Sequence, residues 1–304
     1  MSAPAAATGA AAAQAPHPIR GIALVVAAVC SFAVMEAMVK WLSRTYPVPL
    51  VVWARYFFHT VLMLALLWPR MRGRLVATSR PGLQLARGAV LGISSVFFFS
   101  GLALMPMADA SALAAITPIL VTVLATRLLH ERPPPGTWWA LAASFAGVLL
   151  IVRPGFSVFA WSALLPLASS FCYAGYQLLT RRLAGVDDGV ATLFIGAAVA
   201  TLMMTVFVPF FWRAPVDATD VLMFVTTGAI GGFGHLMLVR AFEEAPATVL
   251  APFTYVHLVA ALLLGLLVFG NFPDAFSLAG MALIVLTGLV MALRRRMPVV
   301  PVED

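Results

Sequence analysis

Long apolar blocks separated by short polar ones run almost end to end along this chain. With a rise of about 1.5 Å per helical residue and a hydrocarbon layer about 30 Å thick, roughly twenty apolar residues make one crossing. The blocks at 20–42, 48–68, 86–104, 108–128, 136–153, 159–179, 188–212, 219–241, 246–270 and 273–293 therefore predict ten transmembrane helices. The blocks are continuous rather than alternating, and lipid offers no partner to an open strand edge, so helices are preferred to a barrel. The fold class expected is all-α and integral to the membrane. The longest internal connection, Pro69 to Leu85, leaves no room for a soluble domain. Residues 1–18, rich in alanine and proline, read as a disordered cytoplasmic tail, and 295–304 as a second tail. The first tail lacks the charged start and cleavage site of a secretory signal, so the first helix is expected to stay as an anchor.

The second five blocks repeat the layout of the first five. Ser31-Phe32 matches Ser170-Phe171, Gly101-Leu-Ala103 matches Val239-Arg-Ala241, and Phe145-Ala-Gly147 matches Leu286-Thr-Gly288, at separations of 139, 138 and 141. The expected units are 19–154 and 155–294, five helices each. An odd number of crossings per unit makes the second copy enter from the opposite side, giving two inverted five-helix repeats. This is the layout of a secondary transporter. Exchanging the conformations of two near-equivalent halves turns an outward-open state into an inward-open one.

Composition agrees with a lipid environment: 62% of residues are hydrophobic, 10% are charged, and the mean hydropathy is +1.00. The net charge of +7 does not point to nucleic acid. The basic residues stand at helix ends: with the amino terminus cytoplasmic, Arg20, Arg70, Arg72, Arg74, Arg80, Arg87, Arg127, Arg132, Arg181, Arg182, Arg240 and Arg294 to Arg296 fall on the inner side. Only Arg44, Arg153 and Arg213 fall on the outer side, so both termini are expected in the cytoplasm of an inner-membrane protein. Cys30 and Cys172 lie inside apolar blocks and suggest packing rather than a disulfide or a metal site. The seven tryptophans stand near block ends, as interfacial anchors do.

Three segments carry a family resemblance. They are Trp53-Ala-Arg55, Ala241-Phe-Glu-Glu-Ala245-Pro, and Ala251-Pro252-Phe-Thr-Tyr255, set in the duplicated layout over residues 20–293. In these the chain resembles the drug/metabolite transporter superfamily, specifically its ten-helix EamA-type family. The resemblance implies a carrier with a central cavity lined by the first, third, fourth, sixth, eighth and ninth helices. Asn271 departs from the family, whose members often carry glutamate there, as Glu131 does in the first half.

Charges inside a membrane helix cost about 2.5–3.5 kcal/mol each unless partnered. Glu36, Lys40 and Arg55 are read as such charges. Glu36 and Arg55 sit at matching depths and are expected to pair, with Lys40 four residues after Glu36 and His59 four after Arg55 on the same faces. The cluster reads either as a buried ion pair fixing the first two helices or as a binding site. In the second case Glu36 exchanges protons or takes a cationic group, while Arg55 and Lys40 attract a carboxylate or phosphate. Near the midplane, Thr117-Pro118 in the fourth block and Pro252 to Tyr255 with His257 in the ninth are proline-interrupted helices in equivalent positions, a pointer to a binding site. Against this, proline is common in membrane helices, and Thr117 and Tyr255 also suit simple bonding to neighbours. Tyr176, Gln177 and His235, with Tyr173, Phe97 to Phe99 and Phe233, are candidate cavity-lining residues, and the glycines at 228, 231, 232 and 234 favour close packing.

No nucleotide, nucleophile or zinc motif is present, and His130-Glu131-Arg132-Pro133 breaks the metalloprotease pattern after two residues. The expected function is a secondary transporter moving a small organic metabolite, of amino acid or organic anion type, without cofactor or metal, as a monomer or dimer. Proton coupling or uncoupled exchange is favoured, with sodium as the alternative coupling ion. The alternatives are a translocator of lipid-linked or amphipathic compounds, or a membrane scaffold without a transport cycle.

Overall fold

The computed structural model describes residues 18–128, 135–153, 161–183, 185–245 and 247–294, and all regular structure among them is helical. The first half holds α1 (Pro18–Leu42), α2 (Val48–Met71), α3 (Pro81–Leu104), α4 (Met107–Ala114), α5 (Thr117–Leu128) and α6 (Thr137–Val152). The second holds α7 (Leu164–Leu183), α8 (Gly189–Phe207), α9 (Ala218–Glu244), α10 (Ala247–Leu250), α11 (Val256–Phe269) and α12 (Ala275–Arg294). Six helical stretches are long and apolar enough to cross a membrane: Pro18–Leu42, Val48–Leu75, Pro81–Leu104, Met107–Leu128, Gly189–Phe211 and Ala218–Glu244. Thr137–Val152, Phe253–Phe269 and Ala275–Met291 are apolar but shorter. Helix α7 falls outside both groups, because Ser169, Ser170, Tyr176 and Thr180 run along it and bond inward.

Local chemistry explains where the helices start and stop. Helix α3 begins at Pro81, five residues before the block boundary at 86, since proline suits a first turn whose N–H groups have no intrahelical partner. That shift carries Gln84 from a predicted connection into the helix and moves Arg87 from the edge of a block to its second turn, where both are buried. The fourth block divides into α4 and α5 because Pro118 has no N–H to give the carbonyl of Ala114; the Thr117 hydroxyl donates to it instead, at 2.7 Å. The ninth block divides likewise, with a 3-10 turn over Ala251–Tyr255 between α10 and α11. Asp188 caps α8 by accepting from the N–H groups of Val190 and Ala191 at 2.8 and 3.0 Å. Gly270, at φ 67°, ends α11 and lets Asn271 N–H reach the carbonyl of Gly265 at 3.0 Å.

The two halves interleave. Helix α1 lies along α9, α3 along α7, α2 along both α8 and α9, α3 also along α8, and α6 along α12; α11 packs on α1 and α4, and α5 on α7. Glycines permit the closest approaches. A Cβ on Gly228 of α9 would stand 2.8 Å from His59 N and 3.0 Å from the Arg55 carbonyl, and one on Gly147 of α6 would stand 2.8 Å from the Gly280 carbonyl of α12.

Polar junctions tie connecting segments at opposite ends of α2. At its carboxyl end, Asp187 accepts from the hydroxyls of Thr78 (2.5 Å) and Ser79 (2.9 Å), from Ser79 N–H (3.0 Å) and from Gln84 Nε2 (2.9 Å). At its amino end, Tyr46 donates to Asp220 and accepts from Val216 N–H (2.8 Å), while Arg213 donates to the Thr45 carbonyl (2.6 Å). The donors around Asp187, first among them Thr78, hold its carboxyl well below the usual aspartate range. A lowered folded-state pKa means that this junction stabilises the fold fully above the ordinary aspartate range and is lost as pH falls through the lowered value. Asp187→Asn is accordingly expected to lower the melting temperature at pH 7, by about 1 kcal/mol of stability at this part-exposed site, and to lower it progressively less as pH falls below the ordinary aspartate range. An unchanged melting temperature at pH 7 would show that the junction is not formed.

Candidate functional site

The interior between the halves is polar where the helices cross. On α1, Met35 and Glu36 point about 100° apart. Glu36 turns toward α4 and α11: its Oε1 lies 3.1 Å from His257 Nε2 and its Oε2 accepts from Ser111 at 3.5 Å. Arg55 meets the other face. Its Nη1 lies 3.8 Å from Met35 Sδ, its Nη2 donates to Ser95 Oγ at 3.2 Å, and the guanidinium stacks 4.0 Å over Tyr56 and 5.3 Å over Phe99. The Glu36–Arg55 pair expected from sequence is therefore corrected. Helical rotation gives the carboxylate to His257 and the guanidinium to Ser95.

Lys40 packs against the end of α3. Its Nζ donates to the carbonyls of Leu102 and Met105 at 2.6 and 2.7 Å, capping the carboxyl end of α3, whose last carbonyls have no intrahelical partner. Lys40→Met is expected to cost about 1–3 kcal/mol in unfolding assays while leaving substrate preference unchanged. A changed preference with unaltered stability would return Lys40 to the site. His59 and His235 are brought together by the α2–α9 contact, rings 6.1 Å apart and 13° from parallel. His59 Nε2 lies 3.0 Å from Met63 Sδ, and its Nδ1 has no partner. A shallow apolar crevice between α2 and α9, lined by Leu62, Leu66, Phe233 and Leu236, reaches the His59 ring.

Arg87 is the residue that sequence reasoning missed. It is 3% exposed, and its Nε, Nη1 and Nη2 donate to Thr180 Oγ1 (2.7 Å), the Thr192 carbonyl (2.9 Å) and Tyr176 OH (2.7 Å). Its guanidinium also stacks 4.5 Å over the Tyr176 ring. The Arg80-Pro81 start of α3 was the available signal, since it puts position 87 two turns inside the helix. Tyr176 thus serves as Arg87's partner, stacked on Tyr173 at 5.2 Å. Tyr173 and His235 both lie within electrostatic reach of Arg55 and Arg87.

Asp109 was passed over as well, although it falls one residue inside the predicted fourth block. It sits near the Arg153–Asp274 ion pair that joins the end of α6 to the start of α12, with Oδ1 unpartnered. The remaining expected residues make no hydrogen bond to this cluster among the described residues. Thr117 is occupied by Ala114, Tyr255 packs its hydroxyl on Gly288, Gln177 is half-buried without a side-chain hydrogen bond, and Phe233 is 54% exposed on the outer surface. His130 to Pro133 lie outside the described residues. No metal-holding cluster of histidine, cysteine or carboxylate occurs among the described residues.

This arrangement, with ionisable groups enclosed between interleaved apolar helices, suits a membrane carrier. The pseudopaline exporter CntI of Pseudomonas aeruginosa is 32% identical over 278 residues, covering 90% of this chain and 95% of that protein. The S-adenosylmethionine uptake transporter of Rickettsia prowazekii is 23% identical over 88% of this chain and 90% of that protein. The riboflavin transporter of Rhizobium johnstonii is 26% identical over 85% and 86%. A solved crystal structure, 21% identical, shares the fold at a TM-score of 0.63 over 91% of this chain and 99% of that one. These relatives are transporters of small metabolites rather than enzymes, which with the apolar helices makes this a multi-pass membrane protein with a transporter function. The EamA-like transporter family matches twice in succession, at 19–153 and 160–293, and the chain belongs to that family.

Proposed function

We propose that the chain is a secondary transporter moving a small organic metabolite, of amino acid or organic anion type, across the cytoplasmic membrane by alternating access. The reading includes ten crossings in two inverted five-helix repeats, with both termini cytoplasmic. The observation that carries it is the way contacts survive exchange of the halves. Counting α4–α5 and α10–α11 as single crossings, α1 with α9 becomes α7 with α3, α2 with α9 becomes α8 with α3, and α1 with α11 becomes α7 with α5. The pairs α2 with α8 and α6 with α12 map onto themselves. Thr60 and Thr201, 141 positions apart like the starts of the two family matches, share a hydrogen bond at 3.1 Å, as equivalent positions beside a twofold axis do. The Asp187 and Tyr46 junctions are exchange partners too, one joining the second connection of the first half to the first connection of the second half, the other the reverse. Both are closed, and they are the natural gates of a carrier that opens one end at a time.

Substrate counterflow in proteoliposomes tests the reading: preloaded unlabelled substrate must drive transient uptake of label. Binding without counterflow would reduce the protein to a scaffold. The α2–α9 crevice is the feature that favours the amphipathic-substrate alternative, and a lipid-scrambling assay separates it. Proton coupling is assigned to the Glu36–His257 pair, an interior carboxylate facing a titratable imidazole. Glu36→Gln is expected to flatten the dependence of uptake on pH between 5 and 8. A Gln variant that keeps the parent profile would free the pair of that role.

A further inference from the structure

Two guanidinium groups are enclosed in the polar interior, Arg55 from α2 at 4% exposure and Arg87 from α3 at 3%, and neither has a carboxylate partner among the described residues. Their bonds go to hydroxyls, a thioether and one carbonyl, which satisfy donors but bring no negative charge. The interior carboxylate of the neighbouring layer, Glu36, is bonded to His257 and Ser111 instead. Burial of uncompensated cations is strongly disfavoured, and it persists at positions where the charge has a use. Donor capacity is also left over. A guanidinium offers five N–H groups. Arg87 uses one from each of its three nitrogens, and Arg55 Nε has no partner at all.

Tyrosine rings lie against both cations. Arg55 stacks on Tyr56, Arg87 on Tyr176, and Tyr173 stacks on Tyr176 while lying within electrostatic reach of Tyr56 and both arginines. Tyr56 and Ser95 bond to each other at 2.7 Å, and Ser94 and Ser169 at 3.0 Å, adding hydroxyls on α2, α3 and α7 beside this floor. An arginine is suited to carboxylate or phosphate, which it meets with two parallel bonds, and an aromatic floor is suited to a flat or apolar connecting portion.

Resting on the transporter reading above, we propose that the substrate carries two acidic groups on one molecule. Arg55 receives one and Arg87 the other, and the connecting portion lies along Tyr56, Tyr173 and Tyr176. A neutral or singly acidic compound would leave one buried guanidinium uncompensated and is discriminated against on that ground.

The test presents proteoliposomes of the full chain with a cytoplasmic metabolite extract, inside or outside, and identifies by mass spectrometry what crosses. The expected result is that the species enriched over protein-free liposomes carry two or more acidic groups. Arg55→Gln and Arg87→Gln should each reduce their accumulation by about tenfold or more, and Arg55→Lys, which keeps the charge but not the fork, should fall less. Arg87→Gln also removes three buried bonds, so melting temperatures are recorded for each variant, and Arg55, which makes weaker bonds, carries the decision. Enrichment of neutral or singly acidic species, or full transport by folded Arg55→Gln, overturns the inference and leaves the transporter reading standing. Folded wild-type protein that enriches nothing in either direction takes down both.

Discussion

Gly228→Leu should remove folded, monodisperse protein from detergent extracts. The position lies where α9 crosses α2, and even a single added carbon would sit 2.8 Å from the backbone nitrogen of His59 and 3.0 Å from the carbonyl of Arg55. Those are backbone atoms of a helix, so relief requires α2 and α9 to separate rather than a side chain to rotate. Overpacking of a well-packed core costs about 1–3 kcal/mol, and a clash against backbone belongs at or above the top of that range. The damage also reaches the interior, because Arg55, His59 and Gly232 share the same contact. Gly82, with nothing within 4 Å of its added carbon, is the control: Gly82→Ala should behave as wild type. Size-exclusion profiles and thermal melts of the two variants check the comparison, and a Gly228→Leu protein as stable as the parent would mean that α2 and α9 do not meet as described.

Arg55→Met separates stability from function in the opposite direction. The arginine is buried without a counter-charge, its Nε is unpartnered, and its one oxygen acceptor, Ser95, keeps a bond to Tyr56 when the guanidinium is gone. Replacing buried charge by an apolar side chain of similar length is often neutral or stabilising by about 1–4 kcal/mol, against which the stacking on Tyr56 and Phe99 is worth about 2 kcal/mol. The melting temperature of Arg55→Met is therefore expected to equal or exceed that of the parent. Transport should meanwhile fall by about tenfold or more, since a charge-assisted contact to substrate is lost. If the variant melts well below wild type and the surviving fraction transports normally, Arg55 is a brace and not part of the site.

The apolar blocks and their duplication were legible because lipid imposes one rule on every crossing: backbone groups must be satisfied within the helix. Burial was legible for the charged and polar residues of the blocks: Glu36, Arg55 and His59 are buried, His257 meets Glu36, and His235 stacks beside His59. Rotation about the helix axis was not. Block boundaries do not fix which of Met35 and Glu36 faces α2, and the Glu36–Arg55 expectation failed on that one turn of about 100°. Arg87 was lost for a different reason. The apolar block opens at Ala86, so the arginine stood at its edge and looked like a positive-inside marker, whereas the helix starts at Pro81 and runs on through it. Lys40 has carbonyl partners that only the tertiary fold reveals, Leu102 and Met105 some sixty residues away.

Both end junctions belong to the same proposal, and their relative motion tests it most directly. Spin labels at Arg44 and Val216 report on the Tyr46 junction, and labels at Arg80 and Val186 report on the Asp187 junction, in a chain with Cys30 and Cys172 replaced. Distance distributions in lipid nanodiscs, measured over a range of pH and substrate, should show each pair in a short and a long state. When one lengthens the other should stay short, and no condition should lengthen both. Both pairs lengthening together, or both staying short under conditions that support counterflow, would contradict a carrier built from two halves that trade conformations.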